Sequence, residues 1–164
     1  MKRILTEIWI YPIKSIGGIR VSSARGREKG LVDDRRWMLV DSDNIFMTQR
    51  DHPHLSLFKT ERAGQSFRIR HDQDALDLPA ASSLKGELEP ARVWDDMVNV
   101  KVADASVNKW FSERLAFTCK LVWFPEENPR PVDPDYPVEK ENVSLADGYP
   151  LLIIGQASLD DLNS

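Results

Sequence analysis

The sequence has one cysteine, no apolar run long enough to cross a bilayer and no excess of basic side chains. Cys119 alone can form neither a disulfide within the chain nor a cysteine-rich metal site. The longest apolar runs are four residues long, and one of them, residues 151–154, has the length of a strand. With 22 basic against 26 acidic side chains, the net charge is −4, which disfavours a protein that neutralises many phosphates. We therefore expect neither a nucleic-acid partner nor a membrane partner.

The N-terminal residues bear on the cellular compartment, and the apolar content bears on the size of the hydrophobic core. Glu7 follows two early basic residues before any apolar stretch of signal-peptide length develops. With the single cysteine, this predicts a reducing, cytoplasmic location. Of the 164 residues, 41% are hydrophobic, including five Trp and six Phe, which is enough to bury a core at this length.

Short apolar segments with period two, bounded by turn residues, indicate a sheet or barrel rather than a helical bundle. Strands are predicted at 4–10, 19–24, 37–40, 45–48, 55–60, 67–70, 93–94, 98–102 and 118–124. Three pairs of them flank the short turns 41–44, 63–65 and 95–96, which predicts antiparallel hairpins. The segment 79–90 has no clear period and predicts a surface excursion.

One helix interrupts this pattern. Val107, Trp110, Phe111 and Leu115 repeat at helical spacing, and Asp104 is the predicted N-cap. The predicted fold class is therefore mainly β within an α+β arrangement, namely an antiparallel β-barrel with one amphipathic helix.

The last part of the chain has a different texture. Residues 125–137 contain five prolines and four acidic residues, which predicts a loop or linker. After it, 151–154 predicts a strand buried on both faces, and Ser158 with Asp161 predicts a capped helix start. Such a strand and short helix need cover. We therefore predict a barrel domain over 1–138, the incomplete beginning of a second domain over 139–164, and a fragment of a longer protein.

The segment that follows the first strand combines a cation with a hydroxyl. Pro12 fixes the backbone, Gly17 and Gly18 allow close approach, and Lys14 and Ser15 lie between them. An ammonium attracts a phosphate and a hydroxyl orients one of its oxygens. The alternative is a solvated lysine in an ordinary turn.

Two arginines extend this hypothesis. Strand alternation places Arg35 on one face with Trp37 and sends Arg36 to the other, so that one arginine is expected on the solvent side. Arg50 ends the hairpin strand. If Lys14, Arg35 and Arg50 meet at one rim, three cations converge in an acidic protein. The alternative is a surface cluster of ion pairs that stabilises little.

Other candidate groups are weaker. His52 and His54 could lie on one side of an extended chain, but a zinc site needs further ligands. Cys119 falls in a predicted strand and is expected to be a buried, inert thiol. No catalytic and no metal-ligating residue is predicted.

The ordered motifs resemble a known family. Tyr-Pro-Ile-Lys-Ser at 11–15, Gly-Leu at 30–31, Asp-Arg-Arg-Trp-Met-Leu-Val at 34–40 and Phe-Met-Thr-Gln-Arg at 46–50 are similar to the N-terminal β-barrel of the MOSC (molybdenum cofactor sulfurase C-terminal) family. Segments 144–150 and 157–163 are similar to the opening of the MOSC domain itself. The resemblance runs nearly end to end and is strongest for amidoxime-reducing-component proteins.

The resemblance implies a molybdenum-cofactor oxidoreductase that reduces N-hydroxylated small-molecule substrates with electrons from a ferredoxin- or flavoprotein-type partner. It implies that Lys14, Ser15 and Arg35 contact the cofactor, and it makes Asp147 and Gly148 further candidates. Arg50 is added from motif and charge. Such contacts suit a ligand that carries a phosphate and a polar pterin.

One departure from the family limits this expectation. The family's molybdenum-ligating cysteine and the Arg-Phe-Arg-Pro-Asn stretch before it have no counterpart in the sequence, and Cys119 lies at no ligand motif. We expect this chain alone to hold part of the site, to lack bound cofactor and to be inactive. The alternatives are a non-catalytic barrel module that binds an anionic ligand or a partner domain, and a pyridoxal phosphate site with Lys14 as the Schiff-base lysine.

Overall fold

A computed structural model describes residues 4–132, 135 and 141–164 of the chain. Its strands are β1 (Ile8–Ile10), β2 (Ile19–Val21), β3 (Gly26–Arg27), β4 (Gly30–Leu31), β5 (Trp37–Val40), β6 (Lys59–Ala63), β7 (Ser66–His71), β8 (Asp74–Asp77), β9 (Glu89–Val93), β10 (Asp96–Val102) and β11 (Lys120–Trp123). Its α-helices are α1 (Ala105–Leu115) and α2 (Gln156–Leu162), and short 3₁₀ turns cover Pro53–Leu57 and Ala81–Ser83.

The strands pair antiparallel throughout the described sheets. The largest sheet has the order β5-β11-β10-β9, and β6-β7-β8 form a three-stranded meander. Two small ribbons, β1-β2 and β3-β4, complete the curled arrangement. The predicted mainly β, barrel-like fold with an amphipathic helix is confirmed.

The main core lies under α1. Val107, Phe111 and Leu115 are the buried residues of the helix, as the stripe predicts. The Phe111 ring packs 5.6 Å from that of Phe58, centroid to centroid. Asp104 is the N-cap residue, as predicted, but its side chain makes no capping hydrogen bond. Its backbone carbonyl accepts from the amides of Val107 and Asn108 instead.

A second apolar cluster supports the side of the fold that carries the candidate site. It includes Met38, Val40, Val93 and Leu145, which belong to the large sheet and to the segment near the C-terminus. Phe46 and Trp94 pack against it from its edge. This cluster therefore fixes the β9–β10 hairpin relative to the chain around residue 145.

Several predicted strands are shorter or differently built. The strand predicted at 45–48 reduces to isolated bridges at Ile45 and Phe46. The Asp41 side chain closes the turn before them. The Asp41 carboxylate accepts from the amides of Asp43 and Ile45, each at 2.9 Å. Residues 55–57 form part of a 3₁₀ turn, and the first strand begins only at Ile8. The sequence does not predict the edge strand β8, because two of its four residues are aspartates and only Leu76 is partly buried.

The C-terminal segment departs most from the prediction. Residues 151–154 form no strand, and all four of their side chains are more than half exposed. No described strand lies beside them to accept their hydrogen bonds, and no described element covers them. Helix α2 follows without a buried residue, and its N-cap is Gly155 rather than Ser158.

The domain boundary predicted at 138/139 lies outside the described residues. Within the part of the chain that the structure describes, no helix combines the length and the apolar character that a membrane crossing needs.

Candidate functional site

All six predicted site residues line one cleft of about 770 Å³. The cleft is lined by Tyr11, Lys14, Ser15, Ile16, Arg35, Thr48, Gln49, Arg50, Trp94, Ala146, Asp147, Gly148, Tyr149, Leu151 and Leu152. The convergence of three cations, expected from separate early β-segments, is therefore present in the structure.

Lys14 and Ser15 sit in a turn that two buried isoleucines anchor. Ile13 and Ile16 are 0% and 2% exposed, so they anchor the turn in the core while Lys14 and Ser15 between them line the cleft. The Lys14 amide donates to the Trp37 carbonyl at 2.8 Å, which ties the turn to the start of β5. Close packing behind the turn requires Gly18, where a Cβ would lie 2.6 Å from the Tyr11 ring.

The Lys14 ammonium is buried, although lysine side chains usually face solvent. It is 5% exposed, donates a hydrogen bond to the Asp147 carboxylate and lies 5.4 Å from the centroids of Phe46 and Trp94. Burial lowers the pKa of Lys14, and the Asp147 carboxylate opposes that shift. Such a cation is held in place rather than solvated.

Ser15 adopts a left-handed backbone, with φ of 64°. This conformation is uncommon for residues other than glycine and concentrates at binding and catalytic sites. The Ser15 carbonyl accepts from the Gln49 side chain at 3.0 Å, so the turn is joined to the loop that carries Arg50.

Arg35 is presented by a second turn, which pairs with the first. Its amide donates to the Tyr11 carbonyl at 2.7 Å, and the buried Asp34 carboxylate accepts from the Tyr11 amide at 2.7 Å. Asp34 also pairs with the Arg35 guanidinium at 3.0 Å. Burial raises the pKa of Asp34, against the opposing effects of Arg35 and of the Tyr11 amide. Arg35 itself has φ of 50°.

The Arg35 guanidinium has an unused donor. Its Nε is buried and has no hydrogen-bond partner among the described residues. A buried donor without a partner is costly and rare, so this atom indicates a position where a ligand acceptor would be favourable.

Neither arginine of the pair is largely exposed to solvent, contrary to the expectation for one of them. The Arg35 side chain lines the cleft and is 21% exposed, whereas Arg36 is 7% exposed and pairs with Glu126. The residue precedes β5 rather than belonging to it, so strand alternation does not apply there. The arginine pair is therefore not a solvated surface cluster.

Arg50 and Trp94 form another wall of the cleft. The guanidinium carbon of Arg50 lies 5.3 Å from the Trp94 ring centroid, and among the described residues no carboxylate forms an ion pair with Arg50. The Trp94 indole nitrogen donates to Asp147 at 3.2 Å. Sequence reasoning missed Trp94, because a tryptophan between a buried strand and a turn resembles a core residue.

Asp147 and Gly148 reach the cleft through a segment that Arg130 holds. The Arg130 guanidinium is 3% exposed, donates to the carbonyls of Ser144 and Ala146 at 2.6 Å each, and pairs with Asp96 at 2.8 Å. Burial would raise the pKa of Asp147, but Lys14, Trp94 and Arg50 together hold it below its ordinary value. Asp147 is therefore a carboxylate fixed at the cleft rim.

Gly30 gives this segment room on its other side. With φ of 109°, it approaches Pro150 so closely that a Cβ would lie 2.8 Å from the Pro150 carbonyl oxygen. Position 30 thus needs glycine both for its backbone and for the contact.

The remaining candidates lie elsewhere. Cys119 is 1% exposed, contacts the Ser112 hydroxyl and does not line the cleft, and burial raises the pKa of its thiol. His52 stacks on Phe117 at 4.9 Å. No cluster of three or more His, Cys, Asp or Glu side chains within the described ranges could hold a metal ion. The cleft itself combines three cations with aromatic and apolar side chains, a lining that suits an anionic ligand.

Comparison with known proteins identifies the family. The sequence matches the MOSC N-terminal beta barrel domain over residues 2–118. The chain belongs to this family. The family resemblance stated from the sequence motifs is thereby confirmed.

Individual relatives extend the match beyond residue 118. The chain is 30% identical over 170 residues to mitochondrial amidoxime-reducing component 1 of Mus musculus, covering 98% of this chain and 50% of the relative. It is 31% identical over 170 residues to the molybdenum cofactor sulfurase of Oryza sativa subsp. japonica, covering 98% of this chain and 21% of that protein. A solution structure from Bordetella bronchiseptica aligns with a TM-score of 0.48 at 14% identity, over 64% of this chain and 90% of that one. The chain thus spans half the length of the mouse relative.

Proposed function

We propose that this chain forms one wall of a molybdenum-cofactor site in an oxidoreductase that reduces N-hydroxylated substrates. The observation that carries the proposal is the convergence of Lys14, Ser15, Arg35 and Arg50 on one cleft in a protein of net charge −4. Membership of the MOSC N-terminal beta barrel family supports it, as does the similarity to amidoxime-reducing components and to a molybdenum cofactor sulfurase.

The donors in the cleft suit the cofactor. Lys14 and Arg35 supply fixed positive charge for a phosphate, and Ser15 lies beside them as a hydroxyl donor. The unpaired Nε of Arg35 offers a further hydrogen bond. When bound, the cofactor supplies two-electron redox chemistry at molybdenum, whereas this chain's residues bind and orient its organic part.

The protein thiolate that such a metal requires is not assigned to this chain. Cys119 is buried away from the cleft, and its thiol pKa is raised by burial, which disfavours the thiolate form. We infer that the thiolate, the substrate contacts and the docking site for a ferredoxin- or flavoprotein-type electron donor belong to other parts of the whole protein.

The first prediction tests cofactor retention. Lys14→Ala and Arg35→Ala, produced in a host that makes the cofactor, should each reduce bound pterin and molybdenum, because each loses a charge-assisted contact of about 1–3 kcal/mol. Pterin fluorescence after oxidation and elemental analysis measure the two losses in the longest natural protein that contains this chain.

Arg68→Ala is the matched control. Arg68 pairs with Asp77 on the β7-β8 ribbon and does not line the cleft, so it should leave occupancy unchanged. A folded wild-type protein that carries neither pterin nor molybdenum contradicts the proposal. If that protein instead binds phosphate alone, the result favours the anion-binding module; an absorption band that Lys14→Ala abolishes favours pyridoxal phosphate.

A further inference from the structure

Trp94 contacts more charged groups of the cleft than its sequence position suggests. Its ring centroid lies 5.4 Å from the Lys14 ammonium and 5.3 Å from the Arg50 guanidinium. Its Nε1–H donates to the Asp147 carboxylate at 3.2 Å. The single indole thus touches two cations and the one anion fixed at the rim.

The backbone of Trp94 gives an independent reason to assign it a role. Val93 pairs with Asp96 in the β9–β10 hairpin, so Trp94 and Asp95 form a two-residue loop. Trp94 has φ of 54° there, at a position that glycine or asparagine normally occupies in such loops. A bulky residue in this conformation is strained, and such strain persists where the surrounding structure or a function requires the side chain.

The packing around the indole holds it in place. It rests against Phe46, 4.7 Å away between centroids, and against the apolar cluster that includes Val93 and Leu145. With one side packed in this way, the ring can order flexible side chains at the cleft. An arginine or lysine held against an aromatic face loses less freedom when it binds an anion.

We propose that Trp94 is a positioning residue of the cleft. Its indole ring holds the Lys14 ammonium and the Arg50 guanidinium together as one anion-binding site, and its Nε1–H fixes the Asp147 carboxylate at the rim of the cleft. This inference rests on the proposed function for the identity of the natural ligand. It does not depend on molybdenum, since this anion-binding site would bind any phosphate-bearing ligand.

The test separates the ring from its N–H. Trp94→Leu removes both, whereas Trp94→Phe keeps an aromatic face. Calorimetric titration with inorganic pyrophosphate should show affinity about tenfold lower for Trp94→Leu and within about threefold of wild type for Trp94→Phe, because the cation–π contacts persist in the latter.

Trp9 provides the matched control. It is 47% exposed, donates its indole N–H to Glu7 at 2.8 Å and does not line the cleft. Trp9→Leu and Trp9→Phe should therefore bind pyrophosphate as the wild type does. Equal affinities for Trp94→Leu and Trp9→Leu, or a wild type that binds no pyrophosphate, would overturn the inference.

A ligand-free measurement checks the indole N–H separately. Carbon-13 NMR titration should show a higher Asp147 carboxyl pKa in Trp94→Phe than in wild type, because one of the hydrogen bonds to the carboxylate is lost. Trp9→Phe should leave it unchanged. An unaltered Asp147 titration in Trp94→Phe contradicts the proposed role. Cofactor occupancy is judged separately, by pterin and metal in the wild type, so the two proposals can fail independently.

Discussion

At the scale of single residues, the Lys14 ammonium is a buried cation that faces the cleft. The ring faces and the Asp147 carboxylate that surround it do not replace full hydration, and burial therefore lowers its pKa. Lys29 is also buried, but its ammonium donates to backbone carbonyls of the loop 125–128. Removal of Lys14 would therefore leave a carboxylate without its partner, whereas removal of Lys29 would leave backbone carbonyls without their donor.

This difference predicts opposite effects of one substitution. Lys14→Met should raise the free energy of unfolding by about 1 kcal/mol, since Asp147 is exposed enough to be rehydrated. Lys29→Met should lower it by about 2 kcal/mol, because buried carbonyls lose their donor. Urea unfolding measures both. A destabilised Lys14→Met would show that the ammonium supports the fold.

The pH dependence of stability follows from the same burial. Because the pKa of Lys14 is lowered in the folded state, the unfolded chain binds more protons at pH values between that lowered pKa and the ordinary lysine pKa of about 10.4. The wild-type stability contributed by this group therefore rises as the pH increases through that window. Urea unfolding at several pH values should show that Lys14→Met lacks this rise.

Sequence reasoning located the polar residues of the cleft but not their aromatic and basic supports. Lys14, Arg35 and Asp147 belong to recognisable motifs with turn residues around them. Trp94 and Arg130 carry no local signal, because a tryptophan beside valine suggests core and an arginine between prolines suggests linker. Their roles depend on contacts across 53 and 16 positions, to Asp147 and Ala146. Such contacts cannot be inferred from local spacing.

At the scale of elements, an irregular segment rather than a strand carries Asp147 to the cleft. The Arg130 guanidinium joins this segment to the start of β10. It donates to the backbone carbonyls of Ser144 and Ala146 in the segment and to the Asp96 carboxylate in β10. The Leu145 amide adds a hydrogen bond to the Arg35 carbonyl at 3.0 Å. Hydrophobic periodicity predicts regular strands and α1, but it cannot predict an irregular segment that is held in place by one guanidinium.

Arg130→Ala should therefore loosen this segment selectively. Loss of the guanidinium leaves the carbonyls of Ser144 and Ala146 without their donor and should cost about 2–4 kcal/mol of stability. Hydrogen exchange should accelerate across 143–147 more than in the β6-β7-β8 meander. Arg68→Ala, which removes an exposed pair, should change neither. Uniform acceleration along the chain would show that Arg130 supports the whole fold instead.

At the scale of the whole molecule, the barrel-like part has a buried apolar core, whereas the large apolar side chains of the C-terminal part are exposed to solvent. Leu152 and Ile153 are 84% and 88% exposed, and Leu162 of α2 is 82% exposed. Large apolar side chains exposed at consecutive positions, as in 151–154, favour association. The apolar run was recognised in the sequence, but whether it forms a strand depends on a neighbouring strand that the described structure does not contain.

Replacing Leu152 and Ile153 by serine together should therefore reduce self-association without lowering stability. The reason is that both side chains are already in water in the folded chain, so their loss removes no core contact. Sedimentation velocity measures the association and urea unfolding the stability. A large loss of stability would instead mean that these residues are covered in solution.

The ion pair between Lys14 and Asp147 joins positions separated by 133 residues. During synthesis, the turn with Lys14 leaves the ribosome long before its carboxylate partner exists. The cleft is therefore complete only once residue 147 has been synthesised, and until then the Lys14 ammonium lacks its carboxylate partner.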